Sequence, residues 1–171
     1  MFKDIAKFNN TNDYLPILNA ILITDLFIIL LVNMKIIDSK VLTRWYNKFT
    51  LSAVIADVLI IFIGFIIARA IYYRIFEDFS IVKFIALTVV IQIIHDILFY
   101  MMFSTVPRGL NKMLDMFKDY ANEASYLAII ADSFMMIMAC LIAAYLANSN
   151  ANVNIIILVI VAYVLQFALY N

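Results

Sequence analysis

Glycine, proline and cysteine are almost missing from this chain: its 171 residues hold two, two and one of them. The lone cysteine, Cys140, makes an intrachain disulfide impossible, leaves the redox compartment unreadable and, set in an apolar run, points to small-residue helix packing. Charge of one sign is lacking too. Twelve Lys and Arg balance twelve Asp and Glu, and no basic tract or acidic tail offers itself to nucleic acid, so that class of partner is excluded. There is no Gly-rich phosphate loop, nucleophile elbow, Cys-His pairing or His-x-x-x-His spacing, so the chain is expected not to be an enzyme; a Thr-Val-Gly channel filter is absent as well. No cofactor is expected, although a bound cation is compatible with the acids described below. The stretch Met1 to Asp13 carries Lys3, Asp4 and Lys7. The apolar run behind it is too long, and lacks the small-residue cleavage pattern, for a removable signal, so it reads as an uncleaved anchor.

What is present is hydrophobic. Apolar and aromatic residues make up 67% of the chain and the mean hydropathy is +1.02, far outside the range of soluble domains. A hydrocarbon core about 30 Å thick needs roughly 20 helical residues. Five segments meet or approach that length, at about 15–36, 51–73, 81–104, 125–147 and 153–170. The expected fold is all-α: one transmembrane domain over 1–171, an integral membrane helical bundle of about five spans with two interfacial amphipathic helices. The fifth span is short and carries Asn154 and Gln166, which leaves a re-entrant or interfacial segment as the alternative. Tyr14, Trp45, Tyr46, Tyr72, Tyr73, Tyr126, Tyr145 and Tyr170 lie at the span ends, where amphipathic rings favour the headgroup level.

With the N-terminal side termed side A, the loops at about 37–50 and 105–124 fall on side B. Seven Lys and Arg there against five on side A favour a cytoplasmic side B. Both side-B loops read as helices lying on the membrane. In 40–49, Leu42, Trp45, Tyr46 and Phe49 form an apolar face and Lys40, Arg44 and Lys48 a basic stripe. In 107–120, Leu110, Met113, Leu114 and Phe117 oppose Lys112, Asp115, Lys118 and Asp119. Lys40, Arg44, Trp45, Lys48, Arg108, Lys112 and Lys118 are therefore the expected contacts to the membrane surface or a partner.

Four of the apolar runs contain an Ile-x-Asp: Ile23-Thr24-Asp25, Ile55-Ala56-Asp57, Ile94-His95-Asp96 and Ile130-Ala131-Asp132. Asp57 shares a helix face with Ala53, Gly64 and Ala68, and Asp132 with Met136, Ala139, Ala143 and Ala147, small-residue faces of the kind that meet protein and not lipid. Thr88, Gln92, His95 and Asp96 make a polar stripe on the third span; Asp25 is placed inward by analogy. Counted from side B, the acids fall near one depth. Each costs about 2.5–3.5 kcal/mol in a membrane helix, and no Lys or Arg is expected at their level. Protons, water, His95, Gln92 or an exogenous cation must compensate. Three readings stay open for this layer of Asp25, Asp57, Gln92, His95, Asp96 and Asp132: interhelical hydrogen bonding alone, a proton or cation pathway, or a metal held by His95 with Asp96, Asp57 and Asp132.

Residues 92–140 carry a resemblance. Ile94-His95-Asp96-Ile97-Leu98-Phe99-Tyr100, Pro107-Arg108-Gly109-Leu110-Asn111-Lys112-Met113, Phe117-Lys118-Asp119-Tyr120-Ala121-Asn122-Glu123 and Ala131-Asp132-Ser133 resemble small uncharacterised multi-pass membrane proteins of nucleocytoplasmic large DNA viruses. The resemblance implies a location in a virion internal membrane or a host intracellular membrane remodelled by infection; it implies no activity. Two functions are thus expected in order: a structural or assembly component of such a membrane, meeting lipid, further copies of itself or a capsid or scaffold protein, and alternatively a small proton or cation transporter or channel.

Overall fold

A computed structural model describes residues 2–170. Among them the only regular elements are helices: α1 (Tyr14–Asn33), α2 (Lys40–Phe49), α3 (Leu51–Ile75), α4 (Ile81–Thr105), α5 (Lys112–Ala124), α6 (Tyr126–Leu146) and α7 (Ala151–Leu169), with a 3-10 turn at Thr11–Asp13 leading into α1. Five of these, α1, α3, α4, α6 and α7, are long and apolar enough to cross a membrane. The chain is a multi-pass integral membrane protein. Its spanning helices are apolar around most of their circumference, as lipid-facing helices must be, whereas α2 and α5 divide into an apolar and a charged face.

Two boundaries differ from those expected, and the last helix is held in a way the sequence did not suggest. The first span stops at Asn33, short of 36, because Lys35 turns to φ +57 and the amides of Met34, Ile36 and Ile37 fold back onto the Leu30 and Leu31 carbonyls. The second surface helix runs from Lys112 to Ala124 and not over 107–120. Asn111 caps it by accepting from the Met113 and Leu114 amides at 2.9 and 3.1 Å, and Gly109 at φ +91 keeps the preceding residues in a loop. Leu110 therefore lies outside the helix and is exposed, while Met116 is the residue that buries. The last helix, expected to be the weakest, is 19 residues long. The polar residue that weakened it anchors it: buried Asn19 on α1 donates to the Asn154 carbonyl at 2.8 Å and lies 3.2 Å from its side-chain oxygen. At the other end, Asn33 donates to the Ala168 carbonyl at 2.7 Å, so α7 is pinned to α1 at both sides of the membrane.

The remaining six helices fall into two like sets, α1–α2–α3 and α4–α5–α6. In each, a spanning helix leads to a surface helix and then, after one residue, to a second spanning helix. That linking residue is Thr50 in the first set (φ +46, ψ −121) and Ser125, 75 positions later, in the second (φ +51, ψ −129). α3 starts at Leu51 and α6 at Tyr126, so Ile55-Ala56-Asp57 and Ile130-Ala131-Asp132 occupy the same register. The packing repeats with the register. α1 packs on α3 and α6, α4 packs on α6 and α3, each surface helix packs on the two spans that flank it, and α2 packs on α5. These pairings describe two parallel repeats about an axis along the membrane normal, with α7 added on the outside of the first. Small residues let the spans approach: Ala53, Ala68, Ala139, Ala143 and Ala144 are buried, and a Cβ at Gly64 would lie 3.3 Å from Met136 Cε.

Candidate functional site: an acidic layer beneath the surface helices

Each repeat supplies two acids. Asp57 and Asp132 lie six residues after the starts of α3 and α6, and Asp25 and Asp96 lie eight and nine residues before the ends of α1 and α4. At 1.5 Å per residue all four fall within ~5 Å of one depth. They form a connected charge network: Asp25 interacts electrostatically with Asp57, and Asp132 with Asp96 first and Asp57 second. Asp25 is fully buried, and the other three are half-buried.

The partners are neutral donors. On α4, Gln92 Nε2 donates to Asp96 Oδ1 at 2.5 Å, and His95 Nδ1 lies 3.3 Å from the same oxygen, its ring stacked on Phe99. The polar stripe expected on this span is thus brought together at Asp96, and Thr88, buried one turn nearer side A than Gln92, contacts Cys140 across on α6 at 3.3 Å. From the surface helices, Trp45 Nε1 donates to Asp57 Oδ2 at 2.9 Å and Tyr46 Oη lies 3.4 Å from Asp25 Oδ1. No Lys or Arg pairs with the four acids among the described residues. Asp25 Oδ2 and Asp96 Oδ2, at equivalent places in the two repeats, are buried without a hydrogen-bond partner.

Trp45 requires a correction. Expected at the membrane surface, it is buried and points down into the layer, because α2 is braced against α5 and not merely afloat on lipid. Trp45 packs on Phe117 at 5.0 Å, Arg44 pairs with Asp119 at 3.4 Å, and Glu123 accepts from Ser39 Oγ and from the Val41 amide. Lys118 likewise turns back to the Val106 carbonyl and Arg108 to Asp119 at 2.9 Å, whereas Lys40, Lys48 and Lys112 stay exposed. Tyr46 and Tyr120 form the ceiling of the layer. Burial first, then Asp25 and Asp57, pushes the Tyr46 phenol well above its ordinary range; burial first, then Asp132, Asp57, Asp96 and Glu123, does the same for Tyr120. Both remain neutral hydroxyls at physiological pH. Sequence reasoning missed this ceiling, although the offset of 75 between Ile55-Ala56-Asp57 and Ile130-Ala131-Asp132 would have revealed the repeat that places Trp45 and Tyr120 in matching positions.

No three His, Cys, Asp or Glu side chains lie together as metal ligands among the described residues. The acids are close enough to feel one another and too dispersed to share a dehydrated metal ion, which disfavours the set of His95, Asp96, Asp57 and Asp132 as ligands.

A second buried charge cluster, also unforeseen, lies at side A. Residues 3–13 fold against the bundle end, with the Lys3 amide on the Ala144 carbonyl at 3.1 Å and Ile5 and Ala6 buried. Asp13 is fully buried, 3.0 Å from Lys3 Nζ and 3.8 Å from Arg69 Nη2, and accepts from Asn10 at 2.7 Å. Arg69, buried on α3, donates to the Lys7 and Asn10 carbonyls at 2.5 and 2.7 Å and lies 4.3 Å above the Tyr14 ring. This cluster fastens the N-terminal segment to the bundle. In comparisons with known proteins, no family model, curated protein or solved structure matches the chain.

Proposed function

We propose that this membrane protein takes up and passes protons or small cations through its four-carboxylate layer, without catalysing a covalent reaction. The observation that carries it is the convergence of one acid from each of four spans into a single charge network that has only neutral donors and one histidine around it. Structural hydrogen bonding alone would favour acids that are fully partnered, and Asp25 and Asp96 each keep a buried oxygen unpartnered. In liposomes reconstituted with the full chain, an imposed pH or cation gradient should drive a flux that Asp57→Asn and Asp96→Asn each reduce at least about tenfold. Absence of flux in the wild type across proton and alkali-cation gradients would overturn the proposal.

A second reading is favoured by the exposed Lys40, Lys48 and Lys112 on the braced surface helices. They suit anionic headgroups or an acidic face of a capsid or scaffold protein, as a structural or assembly component of a viral or virus-remodelled membrane would need.

A further inference from the structure

The two repeats make the acidic layer more specific than a cluster of four. Within each repeat the acids form a pair, Asp25 with Asp57 and Asp96 with Asp132, and in each pair one member has a short N–H donor that the other lacks. Trp45 Nε1 holds Asp57 at 2.9 Å and Gln92 Nε2 holds Asp96 at 2.5 Å. Asp25 has only the distant Tyr46 hydroxyl at 3.4 Å, with Oδ2 buried and unpartnered, and Asp132 has no hydrogen-bond partner among the described residues. A donor aimed at a carboxylate stabilises its ionised form, and two like charges in a low-dielectric pair cannot both persist without compensation. The asymmetry therefore recurs once per repeat.

We propose that the layer is two half-sites, each binding one proton, carried on Asp25 in the first repeat and on Asp132 in the second. This rests on reading the layer as an ion site and names the ion. In each step a hydronium ion gives up a proton by breaking one of its O–H bonds and leaves as water, the proton forms an O–H bond on the carboxylate that lacks an N–H donor, and the charge of the half-site changes from two negative to one. The groups that face the pairs from the packed elements are Trp45 and Tyr46 on α2, Tyr120 and Glu123 on α5, and Gln92 and His95 on α4. The Tyr46 phenol, an indole and an amide supply hydrogen bonds without adding a positive charge, Tyr120 adds a second neutral phenol beside them, and the His95 imidazole lies 3.3 Å from Asp96 Oδ1.

Infrared spectroscopy of the full chain in liposomes near neutral pH, read at the stretch of protonated carboxyl groups and calibrated per chain, tests this. The wild type should show two protonated carboxyls in a dry environment. Asp25→Asn and Asp132→Asn, each a neutral isostere of the protonated acid, should each remove half of the band, and the double variant all of it. A wild-type count of zero or four, or a band lost wholly through one repeat, would overturn the assignment, and the wild-type count stands even if a variant fails to fold. The two proposals fail separately: the band pattern without flux sinks transport and leaves the half-sites, and flux without the pattern does the reverse.

Discussion

Tyr46 shows how a single residue reports on the layer. Its ring is buried between a surface helix and the spans, and burial first, then Asp25 and Asp57, keeps its phenol protonated well above the ordinary value of 10.0. The unfolded phenol ionises near pH 10 while the folded one does not, so its contribution to stability is complete below that pH and is lost as pH rises above it. Thermal unfolding in detergent should therefore show stability falling from about pH 9.5 to 11, and Tyr46→Phe should flatten that slope. An unchanged slope would place the tyrosine in water. At this scale the acids were legible in sequence, because an Asp in an apolar run is conspicuous. Their partners Trp45 and Tyr46 were not, because an aromatic residue on an amphipathic helix reads equally well as a membrane anchor.

At the scale of elements, the joints between surface and spanning helices matter most. Thr50 and Ser125 adopt positive φ with ψ near −121 and −129, a region that favours glycine and costs a β-carbon residue about 1–3 kcal/mol. Thr50→Gly and Ser125→Gly should each relieve that strain and, after the entropy glycine adds to the unfolded chain, raise stability by about 1 kcal/mol. Equal gains at both, measured by unfolding in detergent, are expected from the repeat; a loss at either would mean that its side chain has a further task. Hydrophobic run length located all five spans to within a few residues, since lipid thickness dictates helix length. The start of α5 escaped because Pro107 and Gly109 suggest a helix beginning, whereas Asn111 supplies the cap two residues after Gly109. The offset of 75 escaped because Ile and Ala recur too often in this chain for a three-residue match to stand out.

For the whole molecule, the two sides of the membrane are closed by different means. Side B carries the α2–α5 brace above the acids, and side A carries the N-terminal segment held by Asp13, Lys3 and Arg69. Removing one partner of a buried ion pair strands the other charge at a cost of about 3–5 kcal/mol. Arg69→Met should destabilise the chain by about 3 kcal/mol, the low end because Lys3 remains 3.0 Å from Asp13. Asp13→Asn in addition should restore part of the loss in the same unfolding measurement; a double variant no better than the single would mean that Arg69 acts through its carbonyl contacts and the Tyr14 ring instead.

By itself the sequence determined that this chain lives in lipid, that it is helical, how many times it can cross, and that four acids lie near a common depth, because hydropathy, length and rise per residue are local properties. Only the tertiary structure decided which helices face one another, that two three-helix sets repeat about one axis, that α7 stands outside them, and that the acids meet under Trp45, Tyr46 and Tyr120. Those facts depend on pairings between residues far apart in the chain. In a bilayer, where lipid tails are as apolar as leucine, such pairings are chosen by small-residue packing and a few buried polar contacts and not by the hydrophobic pattern.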